Sequence, residues 1–347
     1  MKKQRILVYA ALFLPVIGHL LTSCDRRPLE DLKQDAAAQI PIKIYWDKAD
    51  VVPQNATILF YDDNGNLYKE WQAASKPEYA EGSILLDPGH YTAVVFNELR
   101  SQINNIQMQN WNKFSTFEAI GVRNLNPVYD FASREKDEVL VRQPGILSAC
   151  ITSFDIGETS GGCGLYNPES GDYYALSDLH PTRKTTLVNI LVHVNGLNNA
   201  RMPAIAELRN TASGYIFPTD QNTLSLVSTQ FTIGNRVYNP GSTTNGTVST
   251  VINAFGIPGD RYNTEDNMPG RMYLDLAFML ADAKMTIVEY SIDVTDLLKV
   301  TTNPNEGVTI DIEVTIGQLP VVKPVNGSSG FDTELVDWDK VIIPLQQ

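Results

Sequence analysis

The chain predicts an all-β fold built as two tandem sandwiches, and three properties of its sequence carry that expectation. Its 347 residues exceed the ~250 at which a single hydrophobic core stops growing, so two cores of ordinary size are expected. Val308, Ile310, Ile312, Val314 and Ile316 alternate with Thr309, Asp311, Glu313 and Thr315, the pattern of a strand with one buried and one wet face. Turn residues punctuate such runs throughout, and leucine-rich helical periodicity is absent from both halves.

The first segment is an address rather than a structural element. Lys2, Lys3 and Arg5 precede an apolar run from Ile6 to Leu20, broken by Pro15, Gly18 and His19. That run is shorter than the ~20 residues a spanning helix needs, so it reads as an export signal. Leu21-Thr22-Ser23-Cys24 then reads as a bacterial lipobox, in which the small Thr22 and Ser23 let a signal peptidase seat the backbone and the Cys24 thiol takes diacylglycerol. A second acyl chain such as palmitate on the freed amine makes such an anchor stable. Residues 1–23 are therefore expected to be a signal peptide and residues 24–39 a lipidated tether. In the tether, Pro28 stands where a helical turn can begin, with Leu29, Leu32 and Ala36 at helical spacing. Extended at ~3.5 Å per residue, the tether holds the folded part up to about 50 Å from the bilayer.

Residues 40–182 are assigned to the first sandwich. Ile40, Ile42, Ile44 and Trp46 share one face of its first strand, and Pro41, which lacks an N–H, pushes that strand toward a sheet edge. Ala56 to Tyr61 and Leu67 to Trp71 flank Asp62-Asp63-Asn64-Gly65-Asn66, a hairpin signal because Asn-Gly accepts positive φ. No downstream bidentate Glu completes a calcium loop there. Ile84 to Leu86 and Tyr91 to Phe96 read as a second hairpin across Asp87-Pro88-Gly89-His90, with His90 solvated at its tip. Trp111, Phe114, Phe117 and Ile120 are spaced like an apolar helical stripe, which predicts a short helix or irregular segment over the first sheet. Val139 to Val141 and Ile146 to Ile151 read as closing strands, Gly157 to Gly171 as a surface loop, and Leu179-His180-Pro181-Thr182 as the boundary.

Residues 183–347 form the second sandwich. Val188, Ile190, Val192 and Val194 face one way and Asn189 and His193 the other, before Asn195-Gly196 ends the strand. Further strands are expected at Ala204 to Leu208, Tyr215 to Phe217, Leu224 to Ile233 and Thr247 to Phe255. Met272 to Leu280 pairs with Met285 to Val294 across Ala281-Asp282-Ala283-Lys284. After the flexible Gly327-Ser328-Ser329-Gly330, Trp338 and Val341 to Leu345 make a last strand whose Pro344 marks an edge.

Composition excludes several functions. The net charge is −13, and loss of the three basic residues ahead of Cys24 takes it to −16, which argues against nucleic acid. No serine-hydrolase, zinc-protease, phosphate-loop or dinucleotide motif is present, so neither an enzyme, a metal site nor a cofactor is expected. The many carboxylates are read as solvated on sheet faces and turns, and only His90, His180 and His193 follow the signal. Cys150 and Cys163 are the only cysteines after Cys24; an exported compartment permits a disulfide, and Gly157, Gly161 and Gly162 let the loop close without requiring it. Trp46, Trp71, Trp111 and Trp338 could offer a sugar-stacking platform, although aromatics on alternating strands more often fill cores.

Taken in order, Cys24-Asp25-Arg26-Arg27-Pro28-Leu29, Tyr45-Trp46-Asp47, Leu59-Phe60-Tyr61-Asp62 to Gly65 and Leu86-Asp87-Pro88-Gly89-His90-Tyr91 resemble the Bacteroidetes-type fimbrial anchor lipoproteins and their fimbrillin-like relatives. Ser329-Gly330-Phe331 through Val336-Asp337-Trp338 and Ile343-Pro344-Leu345 are similar to the ending of an uncharacterised lipoprotein family of that group. The resemblance implies two tandem transthyretin-like, Greek-key sandwiches and a lipid-anchored position on the outer membrane, exposed at the cell surface. It also implies a role as anchor or accessory subunit in adhesion and pilus assembly. It brings no catalytic residues, and of its functional positions only the lipidated cysteine maps, onto Cys24. Fimbrial subunits are then the expected partners through β-strand addition. The candidate edges are Ile40, Ile42 and Ile44 at one end and Val341 and Ile343 at the other, where proline can equally serve to block pairing. The alternative is a glycan-binding surface lipoprotein of a polysaccharide-uptake system, which needs coplanar exposed aromatics on one sandwich face.

Overall fold

The computed structural model describes residues 38–156, 165–166, 173–174, 176–258, 271–303, 307–322 and 340–342. The expected signal peptide, Cys24 and most of the tether, together with Cys163, Trp338 and Ile343, lie outside them. The first strands are β1 (Ala38–Tyr45), β2 (Asn55–Tyr61), β3 (Leu67–Ala74), β4 (Tyr79–Leu86), β5 (Gly89–Asn97), β6 (Ile106–Gln109), β7 (Glu118–Gly121) and β8 (Leu140–Val141). There follow β9 (Ser148–Ile156), β10 (Leu165–Tyr166), β11 (Tyr173–Tyr174), β12 (Leu176–Leu179), β13 (Thr182–Arg183), β14 (Thr186–Asn195), β15 (Ala204–Ala212), β16 (Gly214–Ile216) and β17 (Gln221–Asn222). The last are β18 (Leu226–Ile233), β19 (Asn235–Tyr238), β20 (Gly246–Ala254), β21 (Tyr273–Met279), β22 (Ile287–Asp293), β23 (Lys299–Asn303), β24 (Gly307–Gln318) and β25 (Lys340–Ile342). Among the described residues there is no α-helix, only short 3-10 turns, so the protein is an all-β sandwich fold.

Two sheets, β12-β1-β4 and β13-β9-β5-β2-β3, enclose the first core. Ile40, Ile42, Ile44 and Trp46 meet Ile58, Phe60, Tyr91 and Val95 there. Trp71 closes this core at the side where β3 approaches β4, and its ring lies against Gly82: a Cβ there would sit 2.8 Å from the ring, so only glycine admits it. The second core lies between β19-β20-β14-β24-β23 and β25-β22-β21-β15-β18-β8. Val188, Ile190, Val192 and Val194 of β14 and Ile310, Ile312, Val314 and Ile316 of β24 fill it from one side, and Leu274, Leu276 and Phe278 from the other. The period-two reading of these strands is therefore reproduced residue by residue. The hairpins β2–β3 and β21–β22 also form as expected.

A third cluster joins the halves. The outward face of the β5–β2 region, Leu59, Tyr61, Val94 and Phe96, packs on Met108, Phe117, Ala119, Tyr215 and Phe217. Met108, Ala119 and Tyr215 belong to a four-stranded sheet β17-β16-β7-β6, two of whose strands come from each half of the chain, and Phe117 and Phe217 flank its strands β7 and β16. Gly214 makes the junction possible, because a Cβ on it would lie 2.2 Å from the Ala119 carbonyl oxygen. The rings of Phe117 and Phe217 stack with centroids 4.0 Å apart.

The structure corrects four expectations. β1, carrying Ile40, Ile42 and Ile44, is the middle strand of its sheet and not an edge. β12 runs parallel beside it, pairing from Ile42 onward and so beyond Pro41, whose missing N–H costs no ladder bond to β12. β4 and β5 are not a hairpin, because β4 pairs with β1 and β5 with β2 and β9. The chain crosses between sheets at Asp87, whose carbonyl accepts the Tyr91 hydroxyl at 3.0 Å. The stretch from Trp111 to Ile120 is not a helix: it holds one 3-10 turn, Phe114–Thr116, and β7, and it covers the outward face of the first sheet as an irregular segment through buried Phe117, with Trp111 and Phe114 partly buried beside it. β8 closes no strand of the first sandwich: it adds in parallel to β18.

Candidate functional site

The polar centre of the molecule is the outer face of β15, β21 and β22. Residues of β15 alternate, so Ala206 and Leu208 enter the second core and Glu207 and Arg209 turn away from it, as Asp275 does on β21 and Glu289 on β22. A strap from Asn124 to Val141 lies across that face. Arg134 donates to the two Glu207 oxygens at 2.8 and 2.5 Å, and the Ser133 hydroxyl donates to Asp275 at 2.6 Å. Arg209 Nε donates to both Glu138 oxygens, at 3.2 and 3.1 Å, and Gln230 donates to the Tyr129 carbonyl at 2.7 Å. The hydroxyls of Tyr129 and Ser228 donate to Glu289 and Glu138. Glu207 and Asp275 are both 0% exposed, so the reading of all carboxylates as solvated fails here. Complementary charges at Asp130, Arg134 and Glu138 are the only sequence signal of the strap, and nothing local says where they dock.

Burial is the largest influence on both carboxyls and pushes them up. Arg134 opposes it at Glu207, and Ser133, Ser291 and Arg209 oppose it at Asp275. A carboxyl raised in the fold contributes stability that is full below its unfolded value and is lost as pH rises through its folded value. Asp275→Asn removes that loss. The Tm of the variant minus that of the wild type is expected to rise as pH increases from the ordinary carboxylate range toward neutrality, measured by thermal unfolding at a series of pH values. A difference that stays flat or falls over that window rejects the assignment.

Open sheet edges are the other candidate site. β3 is guarded: Leu67 N–H donates to the Asn112 carbonyl, Lys69 reaches the Leu85 carbonyl at 2.6 Å, and Arg100 bridges to Glu70 at 2.9 Å while stacking 3.6 Å from the Trp111 ring. β25 carries Val341, whose backbone pairs in parallel with Val288 at the outer edge of its sheet. β19 is open: among the described residues it pairs with β20 alone, all four of its residues are exposed, and it contains neither Lys nor Pro, its one charge being Arg236, which lies 5.4 Å from the Tyr238 ring. It presents Val237, 56% exposed, and Tyr238.

The remaining residues singled out above fall into separate places. His90 lies in β5 beside Asp155 at 2.7 Å, and His180 sits between Asp47 and Asp178, of which Asp47 does most to raise its pKa. His193 meets Glu313 at 3.0 Å on the wet face of β14. Cys150 packs against the first core, and burial pushes its thiol up to about 12; its expected disulfide partner, Cys163, lies outside the described residues. Trp46 and Trp71 are core residues and Trp111 is covered by Arg100, so these three do not make a stacking platform. Among the described residues no group of three or more His, Cys, Asp and Glu is placed to hold a metal.

A family model described as a domain of unknown function, DUF5119, matches residues 23–232. It runs past Thr182 into β18, across both sandwiches. No curated protein matches the sequence. Among solved structures, a candidate adhesin from Bacteroides ovatus is similar at 18% identity and a TM-score of 0.56, over 86% of this chain and 99% of that one, which shows a shared fold. A candidate polysaccharide-binding protein from Bacteroides thetaiotaomicron is similar at 11% identity and a TM-score of 0.44, over 80% and 90%. The fimbrial anchor protein Mfa2 from Porphyromonas gingivalis is similar at 11% identity and a TM-score of 0.40, over 79% and 95%.

Proposed function

The chain belongs to the DUF5119 family, and we propose that it is a lipid-anchored, non-enzymatic surface protein of fimbrial type, acting as anchor or accessory subunit in adhesion or pilus assembly. Cys24 is its lipid site on the outer membrane, residues 24–39 its tether, and residues 40–182 and 183–347 its two structural units. The observation that carries the reading is the pairing of a lipobox with a β-sandwich that leaves an open edge strand. An extended segment of a neighbouring subunit that lies along β19 gains main-chain hydrogen bonds, and Val237 and Tyr238 bury apolar surface against it. β19 replaces β1 in this role, because β1 has strands on both sides.

The test is a pull-down from native membranes with mass spectrometry. The wild type is expected to bring down fimbrial subunits, Cys24→Ala to release them into the medium, and Val237→Pro to remain on the membrane while losing them. Recovery of a glycan transporter with no fimbrial subunit rejects the anchor reading.

A further inference from the structure

The wet face of the β19-β20-β14-β24-β23 sheet holds a cleft of about 740 Å³, within the range of small-ligand sites. Strand register sets its floor as two rows. One runs Val251, Asn189, Asp311, Lys299 and the other Asn235, Ser249, Leu191, Glu313, each crossing four strands. At about 4.8 Å between strands each row is about 14 Å long, the length of a short oligosaccharide.

We propose that this cleft binds a neutral glycan. Its polar groups are held by one another. Asn189 Nδ2 donates to Asp311 Oδ1 at 2.7 Å, Asn235 Nδ2 donates to Ser249 Oγ at 3.0 Å, and Glu313 takes His193 at 3.0 Å on one oxygen and Lys299 at 3.5 Å on the other. Each bond spends part of a group's capacity and fixes its rotamer. Asn189 keeps a second N–H and its carbonyl oxygen, and Asp311 keeps its other oxygen, so an amide and a carboxylate stand side by side. That pair meets vicinal hydroxyls, each of which both donates and accepts.

Charge selects among ligands. Asp311 and Glu313 repel phosphates and acidic sugars, Lys299 and the donors already on both carboxylates disfavour a cation, and what remains suits an uncharged polyhydroxylated molecule. Leu191 and Val251, the latter 56% exposed, give the C–H faces of a sugar ring an apolar surface between the polar groups. Half of the floor, Asn189, Leu191, Asp311 and Glu313, lies on β14 and β24, whose opposite faces are locked in the second core, so that part of the array is rigid. The site is separate from the three tryptophans that fail as a platform, and it stands whether or not the protein anchors fimbriae.

The test titrates the full chain in detergent with maltotriose, xylotriose and chitotriose as neutral probes and trigalacturonate as the acidic one, by calorimetry and saturation-transfer NMR. At least one neutral probe is expected to bind with a Kd of about 1 mM or tighter, and trigalacturonate not to bind. Asn189→Ala is expected to weaken that binding roughly tenfold, the loss of about one good hydrogen-bond pair. Val251→Arg, which fills the cleft from an exposed position, is expected to abolish it with an unchanged Tm. Silence with all three neutral probes, preference for trigalacturonate, or binding that survives Val251→Arg overturns the proposal.

Discussion

Arg134→Ala is expected to destabilise the protein by about 3–5 kcal/mol, the cost of leaving a buried charge without its partner. The guanidinium is mostly covered and is the closest compensation for Glu207, which has no access to solvent. Gln230 also donates to Glu207, at 3.3 Å, but carries no charge to replace the one removed. Urea unfolding measures the effect, and two controls make it specific. Arg271→Ala breaks an ion pair of similar geometry whose arginine is 66% exposed, so it should cost no more than about 1 kcal/mol. Glu207→Gln placed in the Arg134→Ala background should recover part of the loss, because the amide does not need a cation. An Arg134→Ala protein within 1 kcal/mol of wild type would mean that the strap contributes little and that water reaches Glu207 when the strap lifts.

Phe217→Ala is expected to cost about 3–5 kcal/mol and to lower the stability of both sandwiches together. The side chain is fully buried, stacks on Phe117 and approaches Phe96 at 6.4 Å, so it belongs to the second half of the chain by sequence and packs on the first half in space. In a Trp338→Phe background Trp46, Trp71 and Trp111 are reporters for the first sandwich, and far-UV circular dichroism reports on all strands. If the shared cluster couples the halves, the fluorescence and circular dichroism transitions both move to lower urea and stay superimposed. A fluorescence midpoint that does not move would show that the first sandwich folds without the second. The four-stranded sheet with two strands from each half, and the strap docked on β15 and β21, argue for coupling.

The two predictions bear on function through the same feature. Under the proposed function, load passes from the tether to a partner, and the two halves then have to hold as one body. The strap, the stacked phenylalanines and the β7–β16 pairing are among the contacts that span them. None was legible as such in the chain. Phe117 was visible as an apolar residue at helical spacing with Trp111, Phe114 and Ile120, and the spacing misled because neighbouring short strands and a 3-10 turn can present the same residues inward. The carboxylates Glu207, Asp275 and Glu289 occupy positions that alternation marks as outward, and alternation does not distinguish an outward face that meets water from one that a distant segment covers.

Alternation and turn residues in the chain mark most of the long strands and which way their side chains point. β14, β24 and the β21–β22 hairpin follow from alternation and turn residues, because a half-buried strand writes its own period of two into a few adjacent residues. The tertiary structure alone decided which strands lie side by side: β12 against β1, β8 against β18, β7 against β16, and the crossing from β4 to β5 between sheets. Pairing is made by main-chain N–H and C=O groups, which every residue but proline carries in the same form, so it leaves little imprint on side-chain identity. Whether an outward polar residue meets water or a strap is decided by the same distant pairing, and so are the open edge at β19 and the cleft beside it.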